Sequence, residues 1–200
     1  MQNKTVEYLN TVEQTVEKLK PPLCRHQYPD NSRTVILVGT IDQMLEHHSA
    51  ILRLIRDGKV GSAFALARSV VESMYSGLWL NFCATDAQVT RFETRDDLPL
   101  TMAGIADAID TKYKGDGFFA DLKKRSWPAL CGYAHNGMLQ LGRRFTGHAL
   151  QPSYRDEEIV EVTRTITTCI IILVGKFLAV QGFPDDCKEV EALVGTYNPT

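Results

Sequence analysis

The sequence predicts an all-α, single-domain helical bundle on three observations. Apolar residues recur at spacings of three and four along most of the chain, the period of one helix face. No segment alternates apolar and polar residues as a half-buried strand would. No internal repeat, low-complexity tract or long linker divides the 200 residues, a length that suits one continuous core. The domain therefore spans 1–200, with a core over about 30–182, an N-terminal helix over 1–20 and a C-terminal helix over 184–195.

Each element has its own warrant. Val6, Leu9, Val12, Val16 and Leu19 form the first apolar stripe, and "KPP" at 20–22 stops it, leaving "CRHQYPD" as a connection. Asn31 or Ser32 caps a long second helix with the stripe Val38, Ile41, Leu45, His48, Leu52 and Ile55. Gly58 lies just past its end, where a left-handed conformation costs least without a Cβ. The third helix, 60–84, is apolar almost all round, so other helices surround it. One side of its "MYSGLWLNF" run is expected to meet a second subunit.

"TDAQ" at 85–88 is a capping box opening a short helix to about Arg95. Pro99 opens the next, "LTMAGIADAIDTKY", because a proline in the first turn loses no helical hydrogen bond. A helix over Phe118–Arg125 follows the "KGDGFF" turn, and Ser126 then caps a separate one with Pro128 in its first turn and Gly137 loosening its end. "RRFTGHALQPSY" reads as loop. Ser153 and Asp156 make a second capping box before a helix over about 155–181, which Gly182 and Pro184 close.

Composition narrows the function classes. A formal net charge of −2 leaves no general electrostatic footprint for wrapping nucleic acid. Cys24, Cys83, Cys131, Cys169 and Cys187 form no C-x-x-C, so neither a zinc ribbon nor a thioredoxin-like motif is available. Scattered cysteines among apolar residues, and an N-terminus without the apolar run of a signal peptide, predict a cytoplasmic protein. The apolar stretch 165–183 contains Lys176 and is read as a buried central helix; no membrane partner is expected.

In helices this apolar the polar residues carry the information. Arg68 lies on the third helix with Glu72 one turn on, so a guanidinium placed there has a carboxylate within reach. The pair either fixes helix register or orients a group in a polar cavity. His48 sits in the apolar seam of the second helix with His47 beside it; it is either a bonded core residue or a titratable site residue. "EHH" lacks the spacing of a zinc-binding helix, so neither metal nor cofactor is implied. In "RSWPALCGYAHNG", Cys131 and His135 share one side, but no oriented third group or oxyanion hole supports a nucleophilic pair. His135 and Tyr133 are expected to bond across to another helix, to Arg68 or Glu72, with Asn136 adding a polar tip.

"GSAFALARSVVESMYSGLWLNFCATDAQV", then "KRSWPALCGYAHNGMLQLGRRF", then the long apolar closing helix resemble an uncharacterised bacterial helical family. Its pattern is an "ALxRxxxE" core helix followed by a "YxHxG" segment, over about residues 30–180. That group is more distantly similar to the HEPN superfamily of helical bundles, which includes ribonuclease toxins, abortive-infection proteins, and members that bind nucleotides or mediate assembly. The resemblance implies a HEPN-like bundle and a homodimer. Active HEPN ribonucleases carry Arg-x(4–6)-His; His135 matches the histidine, but Pro128, Ala129 and Leu130 stand where the arginine belongs.

The residues therefore support, first, a non-catalytic or regulatory module binding a nucleotide, small ligand or protein partner through Arg68, Glu72, Tyr133, His135 and His48. The alternative is a divergent, metal-independent ribonuclease of toxin–antitoxin or phage-defence type, with RNA and an antitoxin-like protein as partners. There His135 acts as acid/base and Arg125, Arg143 or Arg144 holds phosphate. A third reading is an unrelated helical enzyme or a purely structural protein.

Overall fold

In the computed structural model, residues 1–113, 116–135 and 137–197 are described. The helices run α1 (Asn3–Glu17), α2 (Lys20–Cys24), α3 (Ser32–Arg56), α4 (Val60–Phe82), α5 (Asp86–Arg95) and α6 (Met102–Tyr113). They continue with α7 (Phe118–Ala134), α8 (Met138–Gly142), α9 (Asp156–Val180), α10 (Pro184–Ala192) and α11 (Val194–Tyr197). Among the described residues the sole β-type pairing is an isolated antiparallel bridge between Thr146 and Ala149. The expected all-α class holds, in one bundle.

The helix that is apolar all round takes the centre: α4 packs against α3, α6, α7 and α9. Met74, Tyr75, Leu78, Trp79 and Leu80 are at most 2% exposed, so the "MYSGLWLNF" face expected to await a second subunit is already covered by the chain itself. Gly77 permits a close α4–α9 approach, since a Cβ there would lie 2.9 Å from both methyls of Leu173. By length and composition α9 could cross a membrane. Here it is a core helix: Ile166, Ile170, Leu173, Val174 and Phe177 have no exposed surface. Lys176 reaches off it to Glu191 at 3.2 Å.

The outer helices are tied on by polar contacts at their ends. Asp156 Oδ2, at the start of α9, accepts the Gln2 N–H at 2.5 Å and the Thr5 hydroxyl at 2.7 Å. These bonds hold its carboxyl below the usual carboxylate range. Leu9, Val12 and Leu19 then bury completely. Asn31 caps α3, accepting from Thr34 N at 3.0 Å, and Gly58 takes φ +73 just past its end, both as expected. The Thr85–Gln88 capping box is present.

Several expectations need correction. "KPPLC" forms α2 rather than only a stop, because the prolines occupy its first turn, where no helical N–H is required. Val6 and Val38 are exposed; Thr5 and Leu37 take the inward positions. α6 begins at Met102, with the Thr101 hydroxyl accepting from Gly104 N at 3.3 Å, so Pro99 lies outside it. The two helices expected across 118–137 are one, α7, with Pro128 inside; Ser126 donates back to Leu122 O at 2.7 Å instead of capping. The loop after it contains α8. α9 is capped at Arg155, whose N–H donates to the Glu158 carboxylate at 2.9 Å, while Ser153 contacts Arg143 O.

Candidate functional site

α4 presents Arg68 and Glu72 on one side, a turn apart. Nε and Nη2 of Arg68 both donate to Glu72 Oε1, at 3.0 and 2.8 Å. Its remaining nitrogen, Nη1, meets His135 Nε2. The guanidinium also lies over the ring of Trp127, 5.0 Å from its centroid, in cation–π range. A guanidinium offers only hydrogens, so in this contact His135 Nε2 is the acceptor. The Arg68 side chain is 18% exposed and that of Glu72 37%, while His135 is exposed. The charges thus sit at the wall of the bundle, neither sealed in nor free in water.

Both ends of α7 are held, and that fixes His135. At its start the buried Asp110 carboxylate, reaching over from α6, accepts from Phe119 N at 3.0 Å and Ala120 N at 2.8 Å. Two of the orphan amides of the helix N-terminus are satisfied there by a charge that the helix dipole favours. The Tyr75 hydroxyl donates to Phe119 O at 2.7 Å, locking the same turn to α4. At its end, His135 N–H donates to Cys131 O and Gly137 N–H to Gly132 O. A Cβ on Gly137 would lie 2.9 Å from the Gly132 backbone, so the chain turns away here only because residue 137 has none. Asn136 lies outside the described residues.

Tyr133 is one step round the helix and faces inward. Its ring packs edge-on against Phe64 at 5.0 Å, and burial pushes its phenol up. It lines a cleft of about 190 Å³ between α7 and α9 with Arg125, Ser126, Arg155, Glu158 and Thr165. Arg125 is exposed and belongs to that cleft, which His135 does not line, so the structure does not pair Arg125 with His135. Arg143 is engaged by Glu158 and Arg144 is exposed.

His48 is elsewhere. It is 1% exposed on α3, with Nε2 3.0 Å from the Thr167 hydroxyl of α9. That hydroxyl spends its own hydrogen on Thr163 O at 2.7 Å, so His48 Nε2 donates. Burial lowers its pKa to about 4, keeping it neutral. It touches a groove of about 630 Å³ beside α1, with Glu13, Asp42, Glu46, Arg53 and Arg56.

Of the residues expected to share a site, Arg68, Glu72 and His135 meet; Tyr133 turns inward onto Phe64 and the α9 cleft instead of bonding to Arg68 or Glu72, and His48 joins a separate contact. Trp127 was missed by sequence reasoning. The clue was an indole in the same amphipathic segment as His135, two turns before it. Trp127 also lines a groove of about 350 Å³ between α6 and α7, with Lys123, Lys124, Asp107 and Pro128. Among the described residues no three His, Cys, Asp or Glu side chains gather as metal ligands.

A family model described as a family of unknown function (DUF6988) matches residues 41–199, most of the chain and all of this site. The chain belongs to that family. Neither the curated proteins nor the solved structures contain a match to this chain.

Proposed function

We propose that this family member is a non-catalytic, HEPN-like module that binds a nucleotide or similar phosphate-bearing ligand at the wall between α4 and α7. The observation that carries the reading is Arg68, whose guanidinium meets a carboxylate, an imidazole and an indole at once. A phosphate can replace Glu72 as partner of the guanidinium and take its hydrogens in bidentate fashion, with the His135 ring beside it. Trp127 extends from this cluster into the groove holding Lys123 and Lys124, a stacking surface next to two cations. His135 Nε2 is already occupied by a guanidinium hydrogen, which leaves that nitrogen poorly placed to take a proton from a substrate.

Tryptophan emission tests this directly, because Trp79 is buried and Trp127 is the indole beside the site. Titration with ATP, GTP and cyclic dinucleotides is expected to change emission saturably. Arg68→Ala and His135→Ala should abolish the change while keeping the helical circular-dichroism signal. Unchanged affinity in both variants would overturn the reading.

The ribonuclease reading has one specific observation in its favour: Arg68 stands against His135, where an arginine is absent from the sequence motif. It expects induced expression to arrest growth and cleave RNA, with His135→Ala relieving both. Wild type and variant equally harmless, with RNA intact, would remove it. Homodimerisation belongs to either HEPN-like reading, and a solution mass of one chain would remove that part.

A further inference from the structure

Residues 122–155 contain six Lys or Arg (Lys123, Lys124, Arg125, Arg143, Arg144, Arg155) and no Asp or Glu; Glu158 holds Arg143 and Arg155, and Arg144 is the exposed cation within 138–150. The rest of the chain carries 16 Lys and Arg against all 24 Asp and Glu, a net −8. Within the cationic stretch lies the largest concentration of exposed apolar side chains: Met138 at 79%, Leu141 at 46%, Phe145 at 50% and Leu150 at 78%. They are not loosely placed. α8 turns Gln140 inward to Gly61 O at 3.1 Å, and Leu139 packs towards Gly132. Met138 and Leu141 of α8 and Phe145 just after it are exposed, and the Thr146–Ala149 bridge closes the turn that leads to exposed Leu150. None of the four lines the clefts next to Tyr133.

We propose that the α8 hairpin, residues 138–150, docks this protein on an anionic lipid surface, its apolar side chains entering the headgroup boundary and Arg144 meeting lipid phosphates. The combination selects the occupant. Only Phe145 of the four could stack on a base; Met138, Leu141 and Leu150 gain little from nucleic acid, which offers phosphates and stacking faces. A two-fold contact of this strip with itself would gather two Arg144 side chains in one interface with no carboxylate on either strip to pair them. A lipid interface accepts both features, and apolar insertion with basic charge is the two-part anchor such binding requires. Lying on a membrane differs from spanning one, and this strip makes no use of α9.

The test is co-sedimentation of the full chain with vesicles of phosphatidylcholine, with and without phosphatidylglycerol. Binding is expected only with the anionic lipid, falling as salt rises. Leu141→Ser with Phe145→Ser should weaken it about tenfold or more. Arg144→Glu should weaken it about fivefold or more. All these positions are exposed, so melting temperature serves as the fold control. Absence of binding to anionic vesicles, or full binding by these variants, would overturn the proposal. So would a dimer, or a bound RNA oligonucleotide, that the same substitutions release while vesicles stay unbound. Nucleotide-dependent Trp127 emission should be unaffected by the hairpin variants, which separates failure here from failure of the site reading above.

Discussion

His48 and His135 carry the same ring into opposite surroundings. His48 is enclosed between α3 and α9, donates one hydrogen bond to Thr167, and is held neutral by burial. His135 closes α7 at the surface, accepts from a cation, and has ring atoms in water. The first is bound into the core so that a polar atom costs nothing unpaired; the second is positioned by a helix whose two ends are pinned. Loss of His48 should therefore read out as stability, and loss of His135 as recognition.

The largest effects belong to the interior histidine. Its pKa in the fold, about 4, lies below the ordinary 6.5, so its stabilising contribution is complete above pH 6.5 and is lost as pH falls towards 4. Urea midpoints between those pH values should reveal a loss of about 3 kcal/mol at most. His48→Ala should destabilise by roughly 2–4 kcal/mol at pH 7.5 and largely flatten that pH dependence. A variant that retains the full slope would show that the titration belongs to another group.

Next comes the scaffold under His135. Asp110→Ala leaves two amides at the start of α7 without their acceptor and should cost up to about 2 kcal/mol. Hydrogen exchange should localise the loss to residues 118–122. Gly137→Ala forces backbone apart at the other end and should cost about 1–2 kcal/mol, disturbing His135 more than the core. Smallest in stability is the exposed cluster itself. Arg68→Ala should cost about 1 kcal/mol, because Glu72 is partly solvated and can recover water. Glu72→Gln should change stability by less than about 0.5 kcal/mol, yet alter phosphate affinity, which would show that the pair serves recognition rather than register.

The contrast also separates what local sequence encodes from what packing decides. Thr85 with Gln88, and Asn31 before α3, act through neighbours three residues away, so their caps could be read directly. Arg68 and Glu72 were legible for the same reason. α7 was not: Ser126 and Pro128 have the chemistry of a helix start, but packing of the segment against α4 and α6 carries the helix through the missing proline N–H. Val38 shows a similar limit, since Leu37 beside it satisfies the period equally well and only the neighbour's position chooses between them. In the site, the contact of Arg68 with His135 and Trp127 joins residues roughly sixty positions apart. No spacing rule reaches that far; the polarity of His135 and Arg68 in apolar helices suggested their contact, and no such signal marked Trp127.

The carboxylate of Asp156 has a consequence for how much of this chain can stand by itself. It grips the beginning of α1, a helix that precedes the span shared with the family. Trimming residues 1–30 would discard that strap together with Leu9, Val12 and Leu19, uncovering an oily flank of α9. The shortened chain should clump, and adding back a synthetic peptide of residues 1–19 should restore its dispersal.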